Sequence, residues 1–222
     1  MLLAAVVALA CPPPQPGKPR PPKEHPIVRP RWLSNTLVTE YYPVPERWFG
    51  GRRVRAPGIP GRHRFDWLYS ARGVAMEGEG VGLDGRVYHY AGPFGLPWLD
   101  AAGRRTRPCA DGSWTRGRPV QLDYRGRHTR FAIGPSRPLT YWRSVAVDKR
   151  LIPLGSRIFV RAYCSTPARG WLVARDTGSA IIGRHLDVFR PPPRAPTGGR
   201  LFRGLRVLVV PPRTRPRRLP RC

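Results

Sequence analysis

Lysine is almost missing from this chain: Lys18, Lys23 and Lys149 are its only representatives in 222 residues. Lysine and arginine together still number 40 against 13 acidic residues, for a formal net charge of +27, so arginine carries the excess. That excess is scattered along the chain and accompanied by 29 prolines and 24 glycines, a composition that a GC-rich coding sequence produces as readily as selection for a basic surface does. No helix-turn-helix, zinc-finger or RRM signature comes with it, which argues against nucleic acid as the partner. An anionic wall polymer fits the charge equally well. Cysteine is scarce too, with residues only at 11, 109, 164 and 222, none in a C-x-x-C pair, and the five histidines have no metal-like spacing with them. No metal site and no cofactor are expected. If the protein is exported, Cys109 and Cys164 are the candidates for a disulfide, whereas Cys222 has no obvious partner.

Long apolar runs are also lacking. The only one, LLAAVVALA at 2–10, is too short to span a bilayer but has the length of a signal-peptide core, with cleavage expected after Ala8-Leu9-Ala10. Residues 1–10 therefore read as a signal peptide, although a basic n-region is missing. Ala8-Leu9-Ala10-Cys11 is a loose lipobox, which makes Cys11 a candidate lipidated N-terminus. The expected location is outside the cytoplasm, in the periplasm or cell envelope, with an outer-membrane lipoprotein as the anchored variant. From 11 to 31 the chain is dominated by proline and has few side chains to bury, so it reads as an extended tether.

A helical period is absent from the long stretch 45–138, which is rich in Gly, Pro and aromatics and reads as an inserted, mostly β region. Its clearest piece is GVAMEGEGVGLDGRVYHYAG at 73–92, where Asp84-Gly85 marks a hairpin turn. Gly80, Gly82 and Gly85 spell G-x-G-x-x-G, but VYHY continues as a strand where a dinucleotide site needs a helix, and the match is discounted. Trp67, Trp98 and Trp114 are either core residues or platforms on which sugar rings could stack. The segments 32–44 and 139–210 carry the short β-branched runs of a second all-β body, and the basic, proline-rich 211–222 is expected not to fold.

Within that body, three aspartates stand at or beside the ends of short runs: Asp148 in SVAVD, Asp176 in WLVARD and Asp187 in HLDVF. A carboxylate where a strand gives way to a loop is held by the sheet yet open to a cleft, as acid/base chemistry requires. SVAVD, IPLGSRIFV and RDTGSAIIGRHLDVF, with LVTEYYPV at 37–44 as an opening strand, resemble the three-aspartate (3D) domain. That domain is shared by the membrane-bound lytic transglycosylase A family and small muralytic proteins.

The resemblance implies a mainly β fold, a six-stranded double-psi β-barrel with the β insertion and disordered Pro/Arg-rich termini. It also implies cleavage of peptidoglycan glycan strands by a monomer. The catalytic acid of that family corresponds here to Asp187, with Asp176 and Asp148 in support. Tyr41, Thr177, Gly178 and His185 are the candidate substrate contacts, His185 because residues two apart on a strand share a face with Asp187. Ser179 and Ile182 depart from the usual pattern of the family. Three carboxylates converging on one cleft would hold the acid protonated by mutual repulsion, with partial burial adding in the same direction. Each aspartate also has a structural alternative, a turn cap at KRLIP for Asp148 and the T-G-S turn for Asp176, with the weakest one at Asp187. The rival to catalysis is a barrel that binds wall glycan without turnover.

Overall fold

The computed structural model describes residues 11, 24–107, 109, 114–125, 128–178, 181–196, 199–215 and 218–222. The expected signal peptide and residues 12–23 of the expected tether lie outside the described residues. Two compact units make up the chain, one of Met1–Arg20 and Pro43–Ser136, the other of Pro21–Tyr42 and Arg137–Cys222.

The second unit is a closed barrel of six strands: β1 (Arg31–Tyr41), β2 (Ser144–Val147), β3 (Arg157–Phe159), β4 (Trp171–Asp176), β5 (His185–Phe189) and β6 (Phe202–Val210). Around the barrel they run β1-β5-β2-β4-β3-β6 and back to β1. The pairs β1·β5 and β2·β4 are parallel and the other four antiparallel. The mainly β, six-stranded architecture expected from the sequence is therefore the one found.

Alternation builds the interior. Val38, Val145, Val147, Ile158, Leu172, Leu186, Val188, Val207 and Val209 come from all six strands and form one buried cluster. Burying such a side chain is worth about 1.5–3 kcal/mol, which lets strands of only three to five residues hold their places. Closure leaves no free sheet edge. β4 can start where it does because Gly170 has φ +76°, and a Cβ there would lie 2.8 Å from the Phe159 ring.

Several expectations need correction. The segment before β1 is not a free tether throughout: Ile27 is buried in the barrel cluster, its N–H donating to the Leu151 carbonyl at 2.9 Å, and Glu24 pairs with Arg184. Cys109 does not pair with Cys164; the disulfides are Cys11–Cys109 and Cys164–Cys222. Cys222, placed by its sequence in an unpartnered tail, thus ties residue 222 back to the loop after β3. With its sulfur in a disulfide, Cys11 cannot also carry a thioether lipid.

The first unit is a set of small sheets. A four-stranded sheet joins 130–133, 87–92, 79–81 and 44–45, a three-stranded one joins 105–106, 98–100 and 119–122, and 53–54 pairs with 63–64. The Asp84-Gly85 hairpin forms as expected, with Val81 opposite Val87 and Gly85 at φ +79°. Two short helices, Phe65–Tyr69 and Val74–Glu77, interrupt the otherwise β composition. Trp67 and Trp98 are buried with Tyr88 and Phe131 in the core of this unit and are not open sugar platforms, while Trp114 is partly buried against it. No helix among the described residues is long and apolar enough to cross a membrane.

Candidate active site

Four strands that neighbour one another in the barrel bring Thr39, Asp187, Ala146 and Asp176 to one level. Thr39 is the partner of Asp187 across β1·β5, Ala146 of Asp187 across β2·β5, and Ala146 of Asp176 across β2·β4. Val38, Val145, Val147, Leu186 and Val188 occupy the alternate positions and fill the core, so this row looks the other way. Asp176 joins it through an irregularity. The β2·β4 register shifts between Val145 and Ala146, an extra residue that re-aims the following side chain, whereas plain alternation would set Asp176 on the side of Ala174.

Asp187 sits half-buried. Burial pushes its carboxyl above the ordinary value, the negative charges of Asp176 and Glu40 push the same way, and a hydrogen bond from Thr39 and the His185 ring oppose them. The Thr39 hydroxyl donates to Asp187 Oδ1 at 2.6 Å and lies 2.9 Å from His185 Nε2. A hydroxyl has one proton, so with Thr39 donating to Asp187 it accepts from His185 Nε2–H. His185, Thr39 and Asp187 thus form a chain that fixes Oδ1 and leaves Oδ2 as the oxygen able to carry a transferable proton.

Asp176 is held otherwise. Its Oδ2 accepts from the Tyr41 hydroxyl at 2.8 Å, and its Oδ1 accepts from Arg137 Nη1 at 3.1 Å and from the Thr177 N–H at 2.8 Å. Tyr41 reaches it although β1 and β4 are not neighbours in the barrel. The Tyr41 ring also lies 5.1 Å from Phe189, which stacks at 4.8 Å on the part-exposed Tyr141.

Asp148 does not share this row. Its two oxygens accept from Arg150 Nε and Nη2, each at 2.9 Å, and from the N–H groups of Arg150 and Gly183. The Arg150 guanidinium, against the cost of burial, holds this carboxyl down to about 2. The expectation that three pooled carboxylates keep one another protonated is thus corrected: desolvation is the first cause of the Asp187 shift, and Asp148 is a firmly ionised partner of Arg150. Its carbonyl also accepts from the N–H groups of Leu151 and Ile152, the turn-cap role open to it from the sequence.

Glu40, which the opening strand 37–44 puts near its cleft end, was not among the candidate site residues, yet its charge acts on Asp187. It precedes Tyr41 on the inward-facing side of β1, and its fully buried carboxylate accepts from Tyr163 Oη at 3.0 Å, Arg190 Nη1 at 2.9 Å, and Arg200 N and Nε at 3.0 and 2.8 Å. Burial pulls this carboxyl up, but the bonds from Arg200 and Arg190 outweigh it and the net shift is downward. An acid inside the run LVTEYY was the available signal; its partners lie far along the chain and could not be paired with it by spacing.

Thr177 and Gly178 fall beside a separate cavity of about 410 Å³ lined by Val147, Asp148, Lys149, Arg150, Thr177, Gly178, Ile181 and Ile182. Ser179, one of the two departures from the family pattern, lies outside the described residues. Among the described residues no cluster of His, Cys, Asp or Glu could hold a metal ion.

Residues 143–199, which carry β2 to β5 and all three aspartates, match the family described as the 3D domain. The chain carries a 3D domain over that segment. A 47-residue stretch is 49% identical to YabE of Bacillus subtilis (strain 168), named for cell wall shaping, covering 21% of this chain and 10% of the relative. It is 47% identical to that organism's cell wall-binding protein YocH, covering 21% of this chain and 14% of the relative. The matched stretch thus spans a small part of either relative. Among solved structures, a membrane-bound lytic murein transglycosylase from Agrobacterium tumefaciens is similar at a TM-score of 0.44 and 16% identity, over 82% of this chain and 76% of that one.

Proposed function

We propose that this protein is a lytic transglycosylase that cleaves the MurNAc-GlcNAc bond of peptidoglycan, with Asp187 as general acid and then general base. The observation that carries the reading is a single carboxyl raised by burial, held at one oxygen by Thr39 and set level with an ionisable neighbour across a strand bearing only alanine. Protonated Asp187 donates to the glycosidic oxygen as the C1–O bond breaks, and positive charge develops at C1 of the muramyl ring. Asp176, level with Asp187 in the row, faces that developing charge. The Asp187 carboxylate then takes the proton of the C6 hydroxyl while O6 bonds to C1, which closes a 1,6-anhydro ring, consumes no water and returns the acid to its starting state. Tyr41, Thr177, Gly178 and His185 are assigned to substrate contact, Tyr41 and His185 also to holding Asp176 and Thr39.

Such a substrate lies outside the cytoplasm. Two disulfides support that location, because they persist in oxidising compartments. Digesting purified peptidoglycan and analysing the fragments by mass spectrometry tests the proposal. Muropeptides ending in 1,6-anhydromuramic acid are the expected product; reducing-end muramic acid overturns the mechanism. The relative named as wall-binding favours a second reading, a barrel that holds glycan without turnover, and sedimentation with intact wall in the absence of any fragment identifies it.

A further inference from the structure

The cavity beside Asp148 has walls of one chemistry and a rim of another. Ile182, 46% exposed, supplies apolar surface above the buried Val147 and Ile181, while Lys149 and Arg150 supply two cations. Arg150 commits Nε and Nη2 to Asp148, which locks the plane of its guanidinium and leaves Nη1 for a ligand. Asp148 also accepts from the Gly183 N–H, so one buried carboxylate fixes both the arginine and the end of the loop that carries Ile181 and Ile182. Its own charge is cancelled by Arg150, which leaves Lys149 as net positive charge at the rim. An apolar wall under a fixed guanidinium and an amine suits a short chain with small apolar side chains and free carboxylates.

The position of the cavity says where that chain would come from. Asp148 follows Ala146 of the row by two residues at the end of β2, and Thr177 follows Asp176 directly at the end of β4, so the cavity begins where the row ends. A muramyl ring placed with C1 at Asp187 carries on its O3 a lactyl group extended by a peptide that bears carboxylates. We propose that this cavity binds the stem peptide of the cleaved muramyl residue, with Lys149 and Arg150 reading a peptide carboxylate and Ile182 packing on an alanine side chain. This rests on the assignment of Asp187 to glycan cleavage, and it makes the first aspartate of the trio an organiser of peptide recognition.

Two measurements test it separately from that assignment. In the first, kcat/KM is compared on peptide-bearing glycan strands and on strands stripped by an amidase, for the wild type and for Lys149→Glu. Placing a carboxylate where the amine pairs with the peptide should lower the preference for peptide-bearing strands about tenfold or more. An equal preference ratio in the two proteins overturns the proposal, whereas cleavage of neither strand by the wild type overturns the transglycosylase reading. In the second, which needs no turnover, the free tetrapeptide L-Ala-D-Glu-diaminopimelate-D-Ala is titrated into the full chain with methyl-labelled Ile and Val. A shift at the exposed Ile182 methyls that vanishes in Lys149→Glu supports the site; unmoved Ile182 methyls in the wild type refute it even if glycan is cleaved.

Discussion

The role proposed for Asp187 asks two things of it that ordinarily conflict, ionisation on demand and residence in a half-buried place. Asp187→Asn keeps the shape of the side chain and the bond from Thr39 but removes the exchangeable proton, so release of anhydromuropeptides should fall by ~100- to 10,000-fold or more. The sign of the shift gives a second readout. A carboxyl whose folded pKa is raised stabilises the fold below its unfolded pKa and loses that contribution as pH rises through the folded value. At neutral pH Asp187→Asn should therefore melt no lower than the wild type, with its advantage shrinking as pH falls into the range of ordinary aspartates. A melting point clearly below wild type at neutral pH would contradict the assigned shift. Asp148 and Glu40 have the opposite sign: their carboxyls are depressed, so what they contribute is complete above the usual carboxylate range and is lost on acidification, for Asp148 down to about 2. Thr39→Val should impair turnover and move its pH profile, whereas Thr39→Ser, which keeps the hydroxyl at 2.6 Å from Asp187, should restore both.

Strands set these residues level, and the sequence discloses strands unevenly. Asp187 was the candidate acid because the family pattern falls on it and HLDVF offers an acid little structural task, and His185 could be put on its face because alternation has period two. The pairing of Thr39 with Asp187 could not, since a parallel register between β1 and β5 leaves no local trace. Nor could the shift that turns Asp176 outward, because Arg175 is an ordinary residue in a plain strand. Asp148 looked like a third catalytic carboxylate only while Arg150, two positions on, was read as one more basic residue among many. Ala146 shows what the row demands of the element that carries it: 4% exposed and between two carboxylates, it leaves no volume for a longer side chain. Ala146→Leu should cost about 1–3 kcal/mol in chemical denaturation and lower turnover more than that loss explains. Glu40→Ala should cost more, ~3–5 kcal/mol, because Arg190 would be left charged in a largely buried place.

For the molecule as a whole, the sequence disclosed the all-β composition, the barrel and the inserted region, and failed on the covalent links, since four cysteines allow three pairings and spacing does not choose among them. Cys164–Cys222 closes 58 residues that include β4, β5 and β6. Cys222→Ser should lower stability by about 2–4 kcal/mol, and the wild type should lose a similar amount when reductant is added to the denaturation series. The order of the barrel carries a further consequence, for how the chain comes into being. β1 is made first of the six strands, yet both its partners, β5 and β6, are made last, and Thr39 and Asp187 are separated by 148 residues. Throughout translation an eleven-residue strand with two open edges must be kept from pairing with other nascent chains. A polypeptide arrested before His185 should remain dependent on a holdase and sensitive to protease over 31–41, and become resistant only when β5 and β6 have emerged.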